Sequence, residues 1–180
     1  MKMNLDSKMT VLFTKSQIRE GVRRIAEEIH ADYPDQPLTL VYVLNGSAMF
    51  FTDLCRELLE APIFMEYMDL SMHRVCWDPS RFHEFIPGRL EDFQDKLVII
   101  VTEMITNVKL VNAIIGRVER KGPAFIAVAA LVIGKDVEIG QLNRKTYHAF
   151  EVNQPVFGYG IDPDRGWQSL PEIYTMNKDL

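Results

Sequence analysis

Apolar positions recur along the chain in two rhythms. Ile18, Val22, Ile25, Ala26 and Ile29 fall at helical spacing behind Thr14 and Gln17, which stand as in a capping box, so the pattern predicts an amphipathic first helix. The stretch LTLVYVL, 38–44, is β-rich and apolar on both parities, which predicts a strand covered on both faces. Asn45-Gly46-Ser47 punctuates it, and 48–59 has the composition of a helix packing back on a sheet. Further strands are predicted at 63–70, 97–101 and 124–133, with shorter ones at 147–152 and 156–161 on either side of Asn153-Gln154-Pro155. Val108, Val111, Ile115 and Val118 mark one face of a helix that Lys121-Gly122-Pro123 stops. The irregular stretch 71–95, with Trp77, Phe82, Phe85, Phe93, Pro79, Pro87 and Gly88, reads as a long hairpin or lid.

Strands alternating with helices predict an α/β fold with a mostly parallel, doubly wound sheet. In such sheets ligands sit beyond the carboxyl ends of the strands. That rule gathers Asn45-Gly46, Glu103 to Lys109, Gly134-Lys135 and Asp162 on one rim. Neither repeat nor linker nor low-complexity tract interrupts the chain, and 1–180 is expected to be one domain.

Composition narrows the function classes. With 180 residues, 47% hydrophobic, the chain is long enough for one well-cored domain. A net charge of -5 and the absence of a Lys/Arg run argue against a general nucleic-acid or acidic-membrane binder. The longest apolar runs are strand-length and the N-terminus lacks a signal pattern, so neither membrane insertion nor secretion is expected. Cys55 and Cys76 form neither a C-x-x-C motif nor a disulfide framework, consistent with a reducing cytoplasm. His73, Cys76 and His83 fall close together, but their spacing is no standard zinc motif and a fourth ligand is missing. The methionines Met65, Met68 and Met72 read as core or interface packing.

The order VLNGSAMFFTDL, KLVIIVTEMITNVKL, ALVIGKDVEI and PVFGYGIDPDRGWQSLP resembles the hypoxanthine-guanine phosphoribosyltransferase family over nearly the whole chain. The last block is the most specific, with Gly158-Tyr159-Gly160-Ile161-Asp162 and Leu170-Pro171 at the family spacing. The resemblance implies a type I phosphoribosyltransferase core, a small hood made of terminal segments, and a homodimer or homotetramer. It also implies magnesium-dependent transfer of the ribose phosphate of phosphoribosyl diphosphate (PRPP) to hypoxanthine or guanine.

Residue by residue, the resemblance is uneven. The family loop has two acids after its strand, then two apolar residues and Asp-Thr-Gly-x-Thr; here the corresponding residues are Thr102, Glu103, then Thr106, Asn107, Val108, Lys109 and Leu110. Glu103 is the one acid kept. Thr106 stands at the position of the lost catalytic Asp, and a hydroxyl is neither a base at neutral pH nor a charge stabiliser. Val108 replaces a glycine that would allow close backbone approach to phosphate or a positive φ, and Leu110 removes a hydroxyl. Lys109 brings a positive charge but not a nest of N–H donors. Asn45 and Gly46 match the diphosphate loop, Lys135 the lysine that reads the purine 6-oxo group, Val156 the backbone at the purine edge, and Asp162 the aspartate near the purine and the magnesium shell. Glu103 and Asp162 are thus the magnesium ligands implied, if the protein is active. Pro155 replaces the stacking aromatic, Gln168 an arginine that contacts diphosphate, and Met72-His73 the Ser-Tyr pair of the lid.

Three functions fit these residues: a purine salvage transferase with a divergent loop, a non-catalytic binder of a purine or nucleotide acting as regulator, and a structural partner of an active paralogue. The losses favour the family fold with catalysis weak or lost, in the cytoplasm, its ligands a purine base or nucleotide and PRPP, and no nucleic acid or membrane.

Overall fold

The computed structural model describes residues 9–44, 48–59, 61–69, 92–161 and 166–177. Helix α1 (Lys15–Asp32) starts where the capping box predicts: Thr14 Oγ1 accepts from the Gln17 N–H at 3.3 Å, and Gln17 Oε1 accepts from the Thr14 N–H at 2.9 Å. Its buried stripe includes all five predicted positions, Ile18, Val22, Ile25, Ala26 and Ile29. The helix is thus nucleated by its own sequence and oriented by its apolar face.

The central sheet is built from β2 (Leu38–Leu44), β3 (Ile63–Asp69), β4 (Leu97–Ile105), β5 (Phe125–Gly134) and β6 (Lys145–Val152), in the order β3-β2-β4-β5-β6. Every pairing in it is parallel. Helices α1 and α2 (Ala48–Glu57) share one apolar cluster with Ile99, Val101, Ala127 and Ala129, while α3 (Val108–Glu119) shares the other with Val98, Ile100, Val128 and Ala130. Adjacent strand residues therefore face opposite clusters, which is why these strands read as unbroken apolar runs. A second sheet pairs β1 (Met9–Phe13) with β7 (Ile173–Met176), antiparallel, joining segments from opposite ends of the chain.

Several expected boundaries move. β4 runs to Ile105 rather than 101, because Thr102, Met104 and Ile105 find backbone partners in Ala130, Val132 and Ile133 of β5. The expected strand at 156–161 is instead a tight turn carrying the isolated bridges Phe157↔Tyr174 and Gly158↔Ile161. Its reason is local: Gly158, Tyr159 and Gly160 all have positive φ, of 96°, 49° and 90°, which no extended strand accommodates. In α2, Phe50 and Phe51 are buried while Met49 faces outward, as three consecutive bulky residues on one turn require. The expected lid and the trio His73, Cys76 and His83 lie outside the described residues, apart from the lid's last four positions.

Candidate functional site

β2 is followed by β3 on one side of the sheet, and the chain then crosses to β4 on the other side of β2 before continuing to β5 and β6. The switch in direction falls between β2 and β4. At such a point the loops leaving neighbouring strands diverge and open a crevice at the carboxyl ends. The segments after β4 and β5, which carry Thr106 to Leu110 and Lys135, leave that same edge of the sheet. Asn45, Gly46 and Asp162 lie outside the described residues.

Glu103 sits near the end of β4 and is half-buried. Burial raises the pKa of its carboxyl to about 7, against the opposing pull of its own backbone N–H and of the Thr102 hydroxyl. That hydroxyl makes two long contacts, at 3.5 Å to Glu103 Oε2 and 3.5 Å to the Met104 carbonyl. The carboxyl is therefore turned back on its own strand. Thr106 is exposed in the bend between β4 and α3.

Asn107 is the N-cap of α3, with extended φ and ψ of -142° and 106°. Its side-chain oxygen accepts from the backbone N–H of Lys109 at 2.9 Å and of Leu110 at 3.4 Å. Two of the amides that a bare helix N-terminus would offer an anion are thus engaged within the chain. Val108 is the first residue of α3 and is not among the residues with positive φ, so the strain a valine would bear in a glycine conformation is not incurred. Val108 and Leu110 are instead half-buried against the α3 cluster beside Val137 and Ile139. Lys109 is exposed.

Lys135 is exposed in the turn after β5, where its backbone N–H donates to the Val152 carbonyl at 2.7 Å and so ties this turn to the end of β6. Val156 is buried in the cluster shared by α1 and α2. Gln168 does not project as a free polar group: its Nε2 donates to the Gly160 carbonyl at 3.1 Å, and its own carbonyl accepts from the Gly160 N–H at 2.9 Å.

Two features escaped the sequence reading. Asn107 was visible as an N-cap residue type immediately before an apolar helical pattern, and that signal alone locates the cap. The other is a hydrogen bond from the Tyr159 hydroxyl to Asp53 Oδ2 on α2, which joins residues 106 apart in sequence and has no local signal. A cavity of about 790 Å³ opens beside this pair, between α1, α2 and the segment reaching Pro171, away from the α3 N-terminus.

A family model described as Phosphoribosyl transferase domain matches residues 12–164. By sequence, the chain is similar to the hypoxanthine-guanine phosphoribosyltransferase of Mycobacterium avium, at 26% identity over 175 residues covering 93% of this chain and 85% of that protein. It is also similar to the protein of the same name from Staphylococcus aureus, 22% identical over 175 residues, covering 94% of each. Among solved structures, a hypoxanthine phosphoribosyltransferase from Staphylococcus aureus superposes with a TM-score of 0.82 at 22% identity, covering 99% of this chain and 98% of that one. The Trypanosoma cruzi hypoxanthine phosphoribosyltransferase gives 0.78 at 25% identity, covering 93% and 91%.

Proposed function

Because the chain belongs to the phosphoribosyl transferase domain family, and within it to the hypoxanthine-guanine type, we propose that it is a purine-recognising member in which phosphoribosyl transfer is weak or lost. The family reaction joins a 6-oxopurine to the ribose of PRPP and releases diphosphate. Its physical needs are negative charge beside a developing oxocarbenium ion and a shaped set of N–H donors around the 5′-phosphate.

The observation that carries the reading is the self-capped N-terminus of α3. Where a transferase of this type would turn free amides toward phosphate, the amides of Lys109 and Leu110 already serve Asn107. Thr106 adds no charge. Lys135, beyond the end of β5, is the residue proposed to meet the purine 6-oxo group, with the backbone at Val156 at the base edge and Asp162 beyond it.

A magnesium ion bound here would supply positive charge for the departing diphosphate. Glu103 fits that service poorly: it is the single carboxylate from 102 to 110, and burial favours its neutral form. Asp162 is the other ligand proposed.

A second reading, as homo-oligomer or partner of an active paralogue, is supported by β3. Among the described residues β3 is an edge strand of the sheet, and it exposes Phe64, Met65 and Tyr67, each more than half accessible. Apolar surface of this extent on a sheet edge is characteristic of contacts between subunits. Met68, which was expected with Met65 in core or interface packing, is buried. The remaining proposals are a single domain with β1 and β7 in its hood, and residence in the cytoplasm. Among the described residues no helix is long and apolar enough to cross a membrane.

Titration calorimetry with guanosine and GMP tests the proposal. A base-reading site with an engaged phosphate cradle binds both weakly and alike, and Lys135→Ala removes the preference for 6-oxopurines. GMP binding far more tightly than guanosine would show a working phosphate site and overturn the reading.

A further inference from the structure

Gly158-Tyr159-Gly160 places three successive residues at positive φ, and the middle one is not glycine. The flanking glycines are required: a Cβ on Gly158 would lie 2.1 Å from the Glu172 carbonyl oxygen, besides adopting a disfavoured φ. A bulky aromatic at φ 49° is an outlier that persists only when its surroundings over-determine it.

Those surroundings can be named. The Tyr159 N–H donates to the Leu170 carbonyl at 2.7 Å, and the Gly160 N–H to the Gln168 carbonyl at 2.9 Å. Beyond the backbone, the Tyr159 hydroxyl donates to Asp53 Oδ2, while the other oxygen of that carboxylate accepts from Arg56 at 3.2 Å. Burial, and then the bond to Asp53, raise the pKa of the phenol, so it stays protonated and able to donate.

The pair joins α2 to the segment 156–161. Asp53 lies on α2, the helix that follows β2 at the switch point; Tyr159 lies three residues beyond Val156, on the segment proposed to meet the base edge. The ring itself is buried, and a phenylalanine would fill the same space. What the hydroxyl adds is a fixed separation between the turn and the helix.

We propose that Tyr159 and Asp53 are a positioning pair: their hydrogen bond holds the base-edge segment 156–161 in its left-handed turn against α2, and thereby sets the affinity for the purine base. This deepens the function proposed above and rests on it for the identity of the ligand. Neither residue touches the base; each acts through the segment it holds.

The test uses Tyr159→Phe, Asp53→Ala and Asp53→Asn in the full chain, with two readouts. The first needs no ligand. Hydrogen exchange of the Tyr159 and Gly160 amides and of α2 should quicken together, by about tenfold, in Tyr159→Phe and Asp53→Ala, while the strands β4 and β5 keep their protection. Asp53→Asn, which retains an acceptor oxygen, should restore the slower exchange, and adding Tyr159→Phe to Asp53→Ala should change nothing more. Unchanged exchange in Tyr159→Phe, or a change confined to the turn with α2 unaffected, would refute the pair. The second readout is guanosine affinity by calorimetry, expected to weaken about fivefold in Tyr159→Phe and Asp53→Ala and to recover in Asp53→Asn. Equal affinity in all four proteins would remove the pair's role in base binding. Failure of the unaltered protein to bind guanosine or GMP would instead refute the purine reading, and exchange would still decide whether the pair couples turn and helix.

Discussion

The side-chain oxygen of Asn107 accepts from the backbone N–H of Lys109 at 2.9 Å, so α3 is capped by its own sequence at the place where a phosphate would compete for the same donor. Removing that cap separates its two consequences. Asn107→Ala should lower stability by about 1 kcal/mol in urea unfolding, the usual effect of losing an N-cap. It should not weaken binding of PRPP, since it releases amides. A loss of PRPP affinity on this substitution would mean that Asn107 contacts the ligand, contrary to the cap assignment.

Restoring chemistry demands several changes at once, because charge, amide access and backbone shape were altered together. The combination Thr102→Glu, Glu103→Asp, Thr106→Asp, Asn107→Thr, Val108→Gly and Leu110→Thr should produce measurable transfer to hypoxanthine or guanine, followed by the absorbance change of nucleotide formation. No single member of the set should do so. Recovery from Thr106→Asp alone would show that the phosphate loop was intact all along.

Those six positions also show where sequence reading works and where it stops. Ile18, Val22, Ile25, Ala26 and Ile29 specify both the helix and its buried face, because helical periodicity is a local property. The strand at 38–44 was read in full for a similar reason: side chains buried on both faces leave a continuous apolar run. The extension of β4 to Ile105 was not legible, since Glu103 is a poor strand former and only pairing with β5 carries the strand past it. β1 and β7 were missed because each is short and acquires its partner from the far end of the chain. The segment 156–161 reads as a short strand candidate after Asn153-Gln154-Pro155, although Gly158 and Gly160 are signals of a turn. In the site, the chemistry of substituted residues could be read directly, whereas the Asn107 cap, the partial burial of Glu103 and the Tyr159–Asp53 bond depend on packing and geometry.

Glu103 makes stability depend on pH. Its pKa is raised in the folded state from 4.5 to about 7, so folding favours the protonated form. The sign follows from linkage: stability is greatest below the unfolded value and falls as pH rises through the folded one. The loss contributed by this residue is about 3 kcal/mol at most, developed between roughly pH 4.5 and 7. Glu103→Gln should therefore be more stable than the unaltered protein at pH 8 and should remove part of the downward slope seen in unfolding curves across that window. An identical slope in both proteins would show that the carboxyl is hydrated and ordinary.

The apolar edge of the sheet has a direct physical consequence. Tyr67 is 58% exposed on β3, on the same face as Met65, whereas Phe50 is fully buried and belongs to the core. Light scattering at micromolar concentration should give at least twice the chain mass of 20.8 kDa, and Tyr67→Glu should shift the protein toward monomer with little change in thermal stability of the fold. A monomeric mass for the unaltered protein would leave the edge without the partner inferred for it. Phe50→Glu is unsuitable for this purpose, because a charge placed in the core would unfold the subunit itself.

The most direct measurement is turnover of purified protein with hypoxanthine or guanine and magnesium-PRPP, beside an intact relative under the same conditions. Loss of negative charge at Thr106 together with engagement of the α3 amides by Asn107 predicts a rate at least about a thousandfold lower than that of the relative. Turnover on the order of 10 per second would contradict the account, and would mean that this loop performs phosphoribosyl transfer without the groups held here to be essential for it.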